Sequence, residues 1–291
     1  MRARLLPVIL IVTVAATVAG CGSPSSGNSV KIQPARQFRI ADFQPSRPVR
    51  PGTPTTVSFR IVEPSGQTMT RFRTGSGPHT GVHLIIVRDD LGVIIHRHPP
   101  MQPGGRFSQP ITFPAPGPYR VVVDVYPAVS SGRAGLEQTN FQLFDTLRVA
   151  GAYRPQPLPK PAATTTVGGY RFHIVQVTPS PLRAIQPSFV TATVTDPHGK
   201  PVAFRPWYGA LAHAIFFHRG RFEYFRTHVC SPGVGGCTSV LGASRVTGSS
   251  ARPGRLTIGV LLPDSGTWRL FLQLQVRGRV LTAPFTLRVA S

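Results

Sequence analysis

The sequence has little negative charge: 10 Asp and Glu stand against 32 Lys and Arg in 291 residues, and the formal net charge is +22. With so few carboxylates, the paired acids that many hydrolases use are hard to assemble. The basic residues are scattered and form no block with interleaved aromatic residues, which predicts that the protein does not bind nucleic acid. The charge favours affinity for anionic envelope material such as acidic polymers, unless it only reflects a genome that encodes arginine freely.

Catalytic motifs and long helices are missing as well. No G-x-S-x-G, H-E-x-x-H, P-loop or dinucleotide-binding glycine motif occurs, so we predict that the protein is not an enzyme. We find no long amphipathic segment with helix caps. Instead, 31 prolines and 29 glycines lie between short runs of Val, Ile, Phe and Leu, and 41% of the residues are hydrophobic. This pattern predicts an all-β protein with many turns.

Cysteine occurs three times, and the first cysteine follows a targeting segment. Arg2 and Arg4 precede an apolar stretch that is too short to span a bilayer, so residues 1–20 are predicted to be a signal peptide. The string V-A-G-C that ends at Cys21 is typical of a bacterial lipobox. The alternative is an ordinary signal peptide with an incidental cysteine. We predict a lipid anchor at Cys21, a location at the extracytoplasmic face of the cell membrane, and a flexible tether over residues 21–37.

The other two cysteines, Cys230 and Cys237, enclose the Pro- and Gly-rich string S-P-G-V-G-G. In an oxidising envelope compartment, a pair of this kind is expected to form a disulfide. The alternative is that the pair binds a soft metal together with His228. A loop of this length is wider than a C-x-x-C metal knuckle, so we predict the disulfide.

The chain contains two similar halves, which we call the first and second copies. Alternate prolines from position 155 to 161 predict a stiff linker over residues 152–166. Similar turns and apolar runs recur on either side, at an offset of 130–133 residues through a hairpin and of 149 residues after it. Strand number and turn spacing in residues 38–151 and 167–291 predict two tandem antiparallel immunoglobulin-like β-sandwich domains.

The hairpin of the first copy, residues 82–98, carries a group of histidines. A turn centred on Asp90 and Leu91 makes the partner numbers sum to 181, so His83 faces His98, and His96 lies on the same face. Opposed Cβ atoms lie about 4.5–5.5 Å apart, close enough for two imidazoles to share a metal at about 2.0–2.1 Å per bond. We predict a copper or zinc site at His83, His96 and His98. Weaker candidate ligands nearby are His79 and Met101.

The hairpin of the second copy, residues 212–228, is a poorer candidate. Its partner numbers sum to 441, so His213 faces His228, and both are weaker candidate ligands. Arg226 stands where the first copy has the middle histidine of its H-x-H string, and a fixed positive charge there would repel a metal. In both hairpins the alternative is that paired histidines are only hydrogen-bonded packing. Three other histidines are predicted to be surface or turn residues: His173, His198 and His218.

The strings G-V-H-L-I-I-V-R-D-D-L, H-R-H-P and F-P-A-P-G-P-Y-R-V-V-V-D of residues 81–124 resemble a group of secreted bacterial, often actinobacterial, proteins. In that group a His-led strand, a short turn and an H-x-H-P end are followed by F-P-x-x-G-x-Y-R. The second copy resembles the same pattern through G-K-P-V, A-H-A-I-F-F and W-R-L-F-L-Q. These proteins are described as heavy-metal-binding or YtkA-like domains with an immunoglobulin-like fold. The resemblance implies that His83, His96 and His98 are ligands, whereas Arg226 departs from the pattern.

Two functions follow as predictions. The first is a non-enzymatic lipoprotein that binds a copper or zinc ion through the first copy. The alternative is a structural or interaction module that binds an envelope protein or an anionic polymer through its arginine-rich surface.

Overall fold

A computed structural model describes residues 37–128, 140–221, 223–234, 237–241 and 244–291. The predicted signal peptide and Cys21 lie outside these residues, as does the predicted tether apart from residue 37. Within the described residues the chain forms strands and one short 3-10 turn, Pro103–Gly105, but no α-helix. The prediction of an all-β protein is therefore confirmed. No helix in this part of the chain has the length and apolar character needed to cross a membrane.

The first copy forms two antiparallel four-stranded sheets, with the strand orders β1-β2-β6-β5 and β4-β3-β7-β8. Their apolar faces meet in a core that includes Phe59, Leu84, Ile86 and Val121. Alternate residues of β2, namely Val57, Phe59 and Ile61, are buried in this core, as the period-two alternation of a strand requires. The strands are β1 (Arg39–Gln44), β2 (Pro54–Val62), β3 (Val82–Arg88), β4 (Ile94–Arg97), β5 (Met101–Gln102), β6 (Arg106–Thr112), β7 (Gly117–Val125) and β8 (Phe141–Val149).

The second copy forms one ten-stranded sheet in the order β18-β17-β12-β13-β15-β16-β11-β10-β9, with β14 paired to β15. Its strands enclose a core that includes Phe216, Leu256, Trp268 and Leu272. The strands are β9 (Thr164–Val167), β10 (Tyr170–Thr178), β11 (Ser188–Thr195), β12 (Ala212–His218), β13 (Tyr224–Cys230), β14 (Thr238–Leu241), β15 (Ser244–Arg252), β16 (Arg255–Val260), β17 (Gly266–Val276) and β18 (Arg279–Val289).

A short parallel pairing of β13 with β15 makes this sheet continuous, since it joins two groups of antiparallel strands. Gly248 sits at this junction, where a Cβ atom would collide with the His228 carbonyl oxygen. The closeness of the two backbones therefore requires glycine. At the end of β13, Cys230 forms a disulfide with Cys237. The predicted disulfide is confirmed, and the thiols are not available to bind a metal.

The two copies have equivalent strand orders around their hairpins. The order β4-β3-β7-β8 of the first copy corresponds to β13-β12-β17-β18 of the second. The predicted registers are both confirmed: Ile85 pairs with His96 on β3 and β4, and His213 pairs with His228 on β12 and β13. In the first turn, Leu91 adopts φ 59° and the Gly92 N–H donates to Asp90 Oδ1 at 3.0 Å, so the aspartate supports the turn.

The copies pack against each other through these hairpins. Strand β3 is buried on both faces: its even-numbered residues enter the core of the first copy, while Ile85 and Val87 enter a second apolar cluster. That cluster also contains Ile215, Phe217 and Phe271 from β12 and β17. Strand β12 is likewise buried on both faces. Near-continuous apolar runs are typical of strands covered on both sides, and here each hairpin is covered by the other copy.

The segment before β9 runs beside this interface. The Gln156 N–H donates to Asp90 Oδ2 at 3.0 Å, and Leu158 packs against the apolar cluster between the copies. The chain between the copies thus contacts the turn of the first hairpin.

Candidate metal centre

Six histidines lie where the outward faces of the two hairpins meet. Period-two alternation places His83 on the same face as Ile85, and pairing places Asp124 beside it on β7. On the second copy, His213 lies beside Gln273 on β17 in the same way. All of these side chains point towards the interface between the copies. The histidines are His79, His83, His96, His98, His213 and His228.

The three histidines predicted as principal ligands come together. Ligand nitrogens of His83, His96 and His98 all lie within 4.8 Å of one another. His83 and His96 are fully buried, and His98 is half-buried. The His83 Nδ1 and His96 Nε2 atoms are 3.3 Å apart. Two nitrogens that bind one tetrahedral zinc at about 2.0–2.1 Å are separated by about 3.3–3.4 Å, so this spacing suits a shared metal.

Hydrogen bonds determine which nitrogen of each ring carries a lone pair. The Gln273 amide nitrogen donates to Thr282 Oγ1, so its oxygen accepts from His96 Nδ1–H at 3.0 Å. His96 Nε2 therefore keeps a lone pair. His83 Nδ1 also keeps one, because it accepts from the Arg226 guanidinium at 2.8 Å and a guanidinium can only donate. Neither of these two nitrogens carries a proton, so their 3.3 Å contact is not a hydrogen bond. The His83 Nδ1 lone pair is directed to Arg226, and a metal bound there would replace that hydrogen bond.

Free donor atoms support the same fit. Among the described residues, the buried atoms His98 Nε2 and His213 Nδ1 have no hydrogen-bond partner. Buried polar groups without a partner are rare and point to a missing ion or water. The bond from His96 Nδ1–H to Gln273 Oε1 also matches the pattern of metal-binding histidines, whose second nitrogen donates to a carbonyl or carboxylate. The residues present therefore fit a metal such as zinc or copper.

Burial keeps the histidines neutral, the form that binds metals. Burial and the nearby Arg226 lower the pKa of His98 to about 2 and that of His213 to about 3. The same two causes lower the pKa of His79 to about 4. Burial is also the main cause that holds the pKa of His83, His96 and His228 well below the usual value.

Arg226 is buried among these histidines, and its charge is paired. Its Nε and Nη2 donate to Asp124 Oδ2 at 2.9 and 2.6 Å, and its Nη2 donates to the Tyr126 hydroxyl at 2.8 Å. The other Asp124 oxygen accepts from the side-chain amides of Asn140 and Gln142. Burial lowers the pKa of Arg226, but Tyr126 and Asp124 outweigh burial and raise it above the ordinary value. Asp124 thus offsets part of the repulsion expected of this arginine, while Arg226 still lowers the pKa of the histidines around it.

His228 and His79 form a separate pair. Arg226 Nη1 donates to His228 Nε2 at 2.7 Å, so the His228 proton lies on Nδ1 and is donated to His79 Nε2 at 3.1 Å. Both nitrogens of His228 are therefore used. His79 also stacks on Tyr126, with ring centroids 4.9 Å apart. A cavity of ≈ 440 Å³ is lined by His79, Arg226 and Arg73.

An aromatic loop of the second copy covers the triad. The Tyr208 ring stacks on His98 with centroids 3.7 Å apart, and the Trp207 ring meets His96 edge-on. The loop approaches the first copy closely at Gly209, where φ is 76° and a Cβ atom would collide with the Ser76 carbonyl oxygen. Only glycine fits both the backbone angle and the space.

Sequence reasoning missed several of these residues, because they act across the interface between the copies. Asp124 and Gln273 offered a signal, since each is a polar residue inside an apolar strand. The aromatic residues Trp207 and Tyr208 gave no signal that could be separated from ordinary packing.

The remaining sequence predictions fall elsewhere. Met101 lies on β5 in the other sheet of the first copy and is 44% exposed, unlike the buried histidines. The prediction that His218 lies at the surface or in a turn was wrong. It lies buried on β12 and its Nε2 bonds to the Ser265 carbonyl at 3.0 Å, because β12 is covered on both faces.

Residues 165–291 match the model of a domain of unknown function, DUF8832. No curated protein matches the sequence.

Several solved structures are similar to the chain. The Escherichia coli adhesin FdeC is 14% identical, with a TM-score of 0.25 and coverage of 88% of this chain and 65% of that chain. Invasin, a bacterial integrin-binding protein, is 13% identical with a TM-score of 0.22, and 88% of this chain and 39% of that chain are covered. Escherichia coli α-2-macroglobulin is 12% identical with a TM-score of 0.27, and 88% of this chain and 16% of that chain are covered. The chain thus spans less than two thirds of each of these proteins. Such TM-scores do not establish a shared fold, so the architecture rests on the strand pairing of this chain.

Proposed function

We propose that this protein is a non-enzymatic metal-binding protein of the cell envelope, which holds a copper or zinc ion at His83, His96 and His98. The observation that carries the proposal is the pair of unprotonated nitrogens, His83 Nδ1 and His96 Nε2, which lie 3.3 Å apart with no proton between them. Neutral imidazoles are good ligands for zinc, copper and nickel. The proposal includes two tandem immunoglobulin-like sandwiches, for which the equivalent strand orders of the two copies are the support.

The metal would draw on the His83 Nδ1 lone pair that now accepts from Arg226. The same Arg226 nitrogen has a second acceptor in His228 Nε2 at 2.7 Å, and Asp124 balances its charge. On metal binding Arg226 would lose its bond to His83 and keep its bonds to His228 and Asp124. His98 also has a buried nitrogen, Nε2, without a partner among the described residues.

Metal titration of the full-length protein in detergent, followed by calorimetry, tests this function. We expect binding of one Cu²⁺ or Zn²⁺ ion, and loss of that binding in His83→Ala and in His98→Ala. His198→Ala is the matched control, because His198 lies in an exposed turn. Thermal unfolding of each metal-free variant shows whether it is folded. Affinity that stays unchanged in both folded variants would refute the proposed site.

The same proposal places the protein on the outer face of the cell membrane through lipid on Cys21. Its support is the signal-peptide pattern of residues 1–20 and the lipobox-like string before that cysteine. Two or more acyl chains are needed for firm anchoring. We expect the wild-type protein in the membrane fraction and Cys21→Ala in the soluble fraction. A membrane fraction that is equal for both would contradict the lipid anchor.

The net charge of +22 supports a second candidate, an interaction module that binds an anionic polymer or an acidic envelope protein. Co-sedimentation with anionic vesicles should then weaken as salt is raised and should not respond to a chelator. Binding that disappears with a chelator would favour the metal function instead.

A further inference from the structure

The triad alone leaves a tetrahedral metal incomplete. Zinc in structural sites takes four protein ligands, and three imidazoles of the first copy supply only three. The fourth ligand must come from a neighbouring side chain with an unused lone pair, or from water. The second copy presents two histidines at this interface, and their hydrogen bonds distinguish them.

His228 is the acceptor that Arg226 Nη1 would retain once His83 binds a metal. Its Nε2 accepts from Arg226 at 2.7 Å and its Nδ1 proton is donated to His79. If His228 bound the metal, either an Arg226 N–H or His79 would lose its hydrogen bond to His228. His228 therefore belongs to the Arg226 network.

His213, by contrast, has an unused lone pair. Its Nε2 donates to the Trp207 carbonyl oxygen at 2.8 Å, which places the lone pair on Nδ1. That Nδ1 is buried and has no partner among the described residues, and the whole side chain is 0% exposed. A histidine whose one nitrogen donates to a backbone carbonyl while the other is free has the arrangement of a metal ligand.

His213 also lies beside the triad. Its ring centroid is 5.2 Å from that of His96, and the Trp207 ring contacts both rings. The position of His213 corresponds to that of His83 in the other copy. His83 contacts Arg226, and Arg226 occupies in the second copy the place that His96 occupies in the first. Each middle residue of one hairpin thus contacts the leading histidine of the other.

We infer that His213 supplies the fourth ligand through Nδ1, so that the metal centre takes ligands from both copies and links them. This inference rests on the proposed function, since it adds a ligand to the same site. Three ligands would come from the first copy and one from β12 of the second. Metal binding would therefore stabilise the interface that contains Ile85 and Phe217 as well as the triad.

Co²⁺ binding to the full-length protein, followed by visible absorption, tests the inference, because four-coordinate Co²⁺ absorbs more intensely than five- or six-coordinate Co²⁺. We expect intense absorption for the wild type. His213→Ala should lose at least about 100-fold in affinity, more than the loss of an outer hydrogen bond to a ligand usually causes. His218→Ala is the matched control, since His218 is also buried on β12 and its Nε2 also bonds to a backbone carbonyl, but its ring lies against Trp268 rather than against the triad.

His213→Cys gives a positive readout that does not depend on a loss. A thiolate bound to Co²⁺ adds a charge-transfer band in the near ultraviolet, which appears only if position 213 contacts the metal. Loss of affinity in His213→Ala together with this band in His213→Cys supports the inference. Unchanged affinity and spectrum in His213→Ala, or no charge-transfer band in metal-loaded His213→Cys, overturns the inference. If binding still requires His83 in that case, the proposed function stands. A wild type that binds no Co²⁺, Zn²⁺ or Cu²⁺ overturns both.

Discussion

The two hairpins have the same register and the same place in their copies, but they interact across the interface by different chemistry. In the first, His96 donates to Gln273 of the second copy. In the second, the equivalent Arg226 donates to Asp124 of the first copy. His96 and Arg226 are 130 positions apart, and Asp124 and Gln273 are 149 positions apart, which are the offsets that relate the two copies. Each contact is therefore the counterpart of the other. The bond from His96 to Gln273 is neutral and leaves a lone pair on His96 Nε2. The bonds from Arg226 to Asp124 are charged, and every nitrogen of the Arg226 guanidinium has a partner. The second hairpin is therefore the partner surface of the first rather than a degraded second site.

Acid has the largest predicted effect, because it acts on both hairpins. In the folded metal-free protein the pKa values of His79, His98 and His213 are about 4, 2 and 3, below the unfolded value of 6.5. The unfolded chain thus binds more protons below pH 6.5, and stability present above that pH is lost as the pH falls. Each such histidine removes about 1.4 kcal/mol per pH unit.

Urea unfolding of the metal-free protein at pH 7, 6 and 5 measures this loss. We expect the free energy of unfolding to fall by more than one histidine would cause, and His96→Gln to reduce the slope. Equal stability at pH 7 and pH 5 would show that the histidines are not held neutral in the folded state.

The charged contact should matter more for stability than the neutral one. Arg226→Met leaves Asp124 buried without its cation, and we expect the free energy of unfolding to drop by about 3–5 kcal/mol. The equivalent change His96→Met leaves only the neutral Gln273 oxygen without a donor, and about 1–3 kcal/mol should be lost. Arg60→Met, which removes a solvent-exposed ion pair with Asp42, should cost no more than about 1 kcal/mol. Equal losses at positions 96 and 226 would remove the distinction between the two contacts.

The neutral contact should matter more for metal binding. Gln273→Leu removes the acceptor that orients His96, and metal affinity should fall about 10- to 100-fold, as for other outer partners of metal-binding histidines. Gln176→Leu, at an exposed position on β10, serves as the control. Calorimetric titration measures both variants. If Gln273→Leu binds as tightly as the control, His96 does not depend on that bond for its orientation.

The smallest effect is predicted for His228. His228→Gln should leave metal affinity within about threefold of the wild type, or about 0.6 kcal/mol, because both of its nitrogens bond to Arg226 and His79. His96→Gln should abolish binding in the same titration. Comparable losses for the two variants would mean that the second hairpin binds the metal as the first does.

Local patterns were enough to predict strand pairing. The register of each hairpin follows from its turn residues and from period-two alternation, and the Cys230–Cys237 disulfide follows from its short loop. These features depend on residues close in sequence.

The docking of the two copies could not be predicted in this way. The sequence paired His213 with His228 in a second site, whereas the structure also places His213 beside His96 from the other copy. That contact depends on which apolar faces meet, and many faces have similar composition. The continuous burial of β3 and β12 was the available signal, because an apolar run on both faces of a strand requires cover on both sides.

The bond between His96 and Gln273 joins residues 177 positions apart in the chain. Contacts of such large sequence separation form slowly, since a long loop must close before they contribute stability. The hairpin that carries His83 and His98 is local and can form early. The polar shell that orients its ligands exists only after the end of β17 has been synthesised and packed. The proposed centre is therefore assembled late, and metal binding to it would report whether both copies have folded.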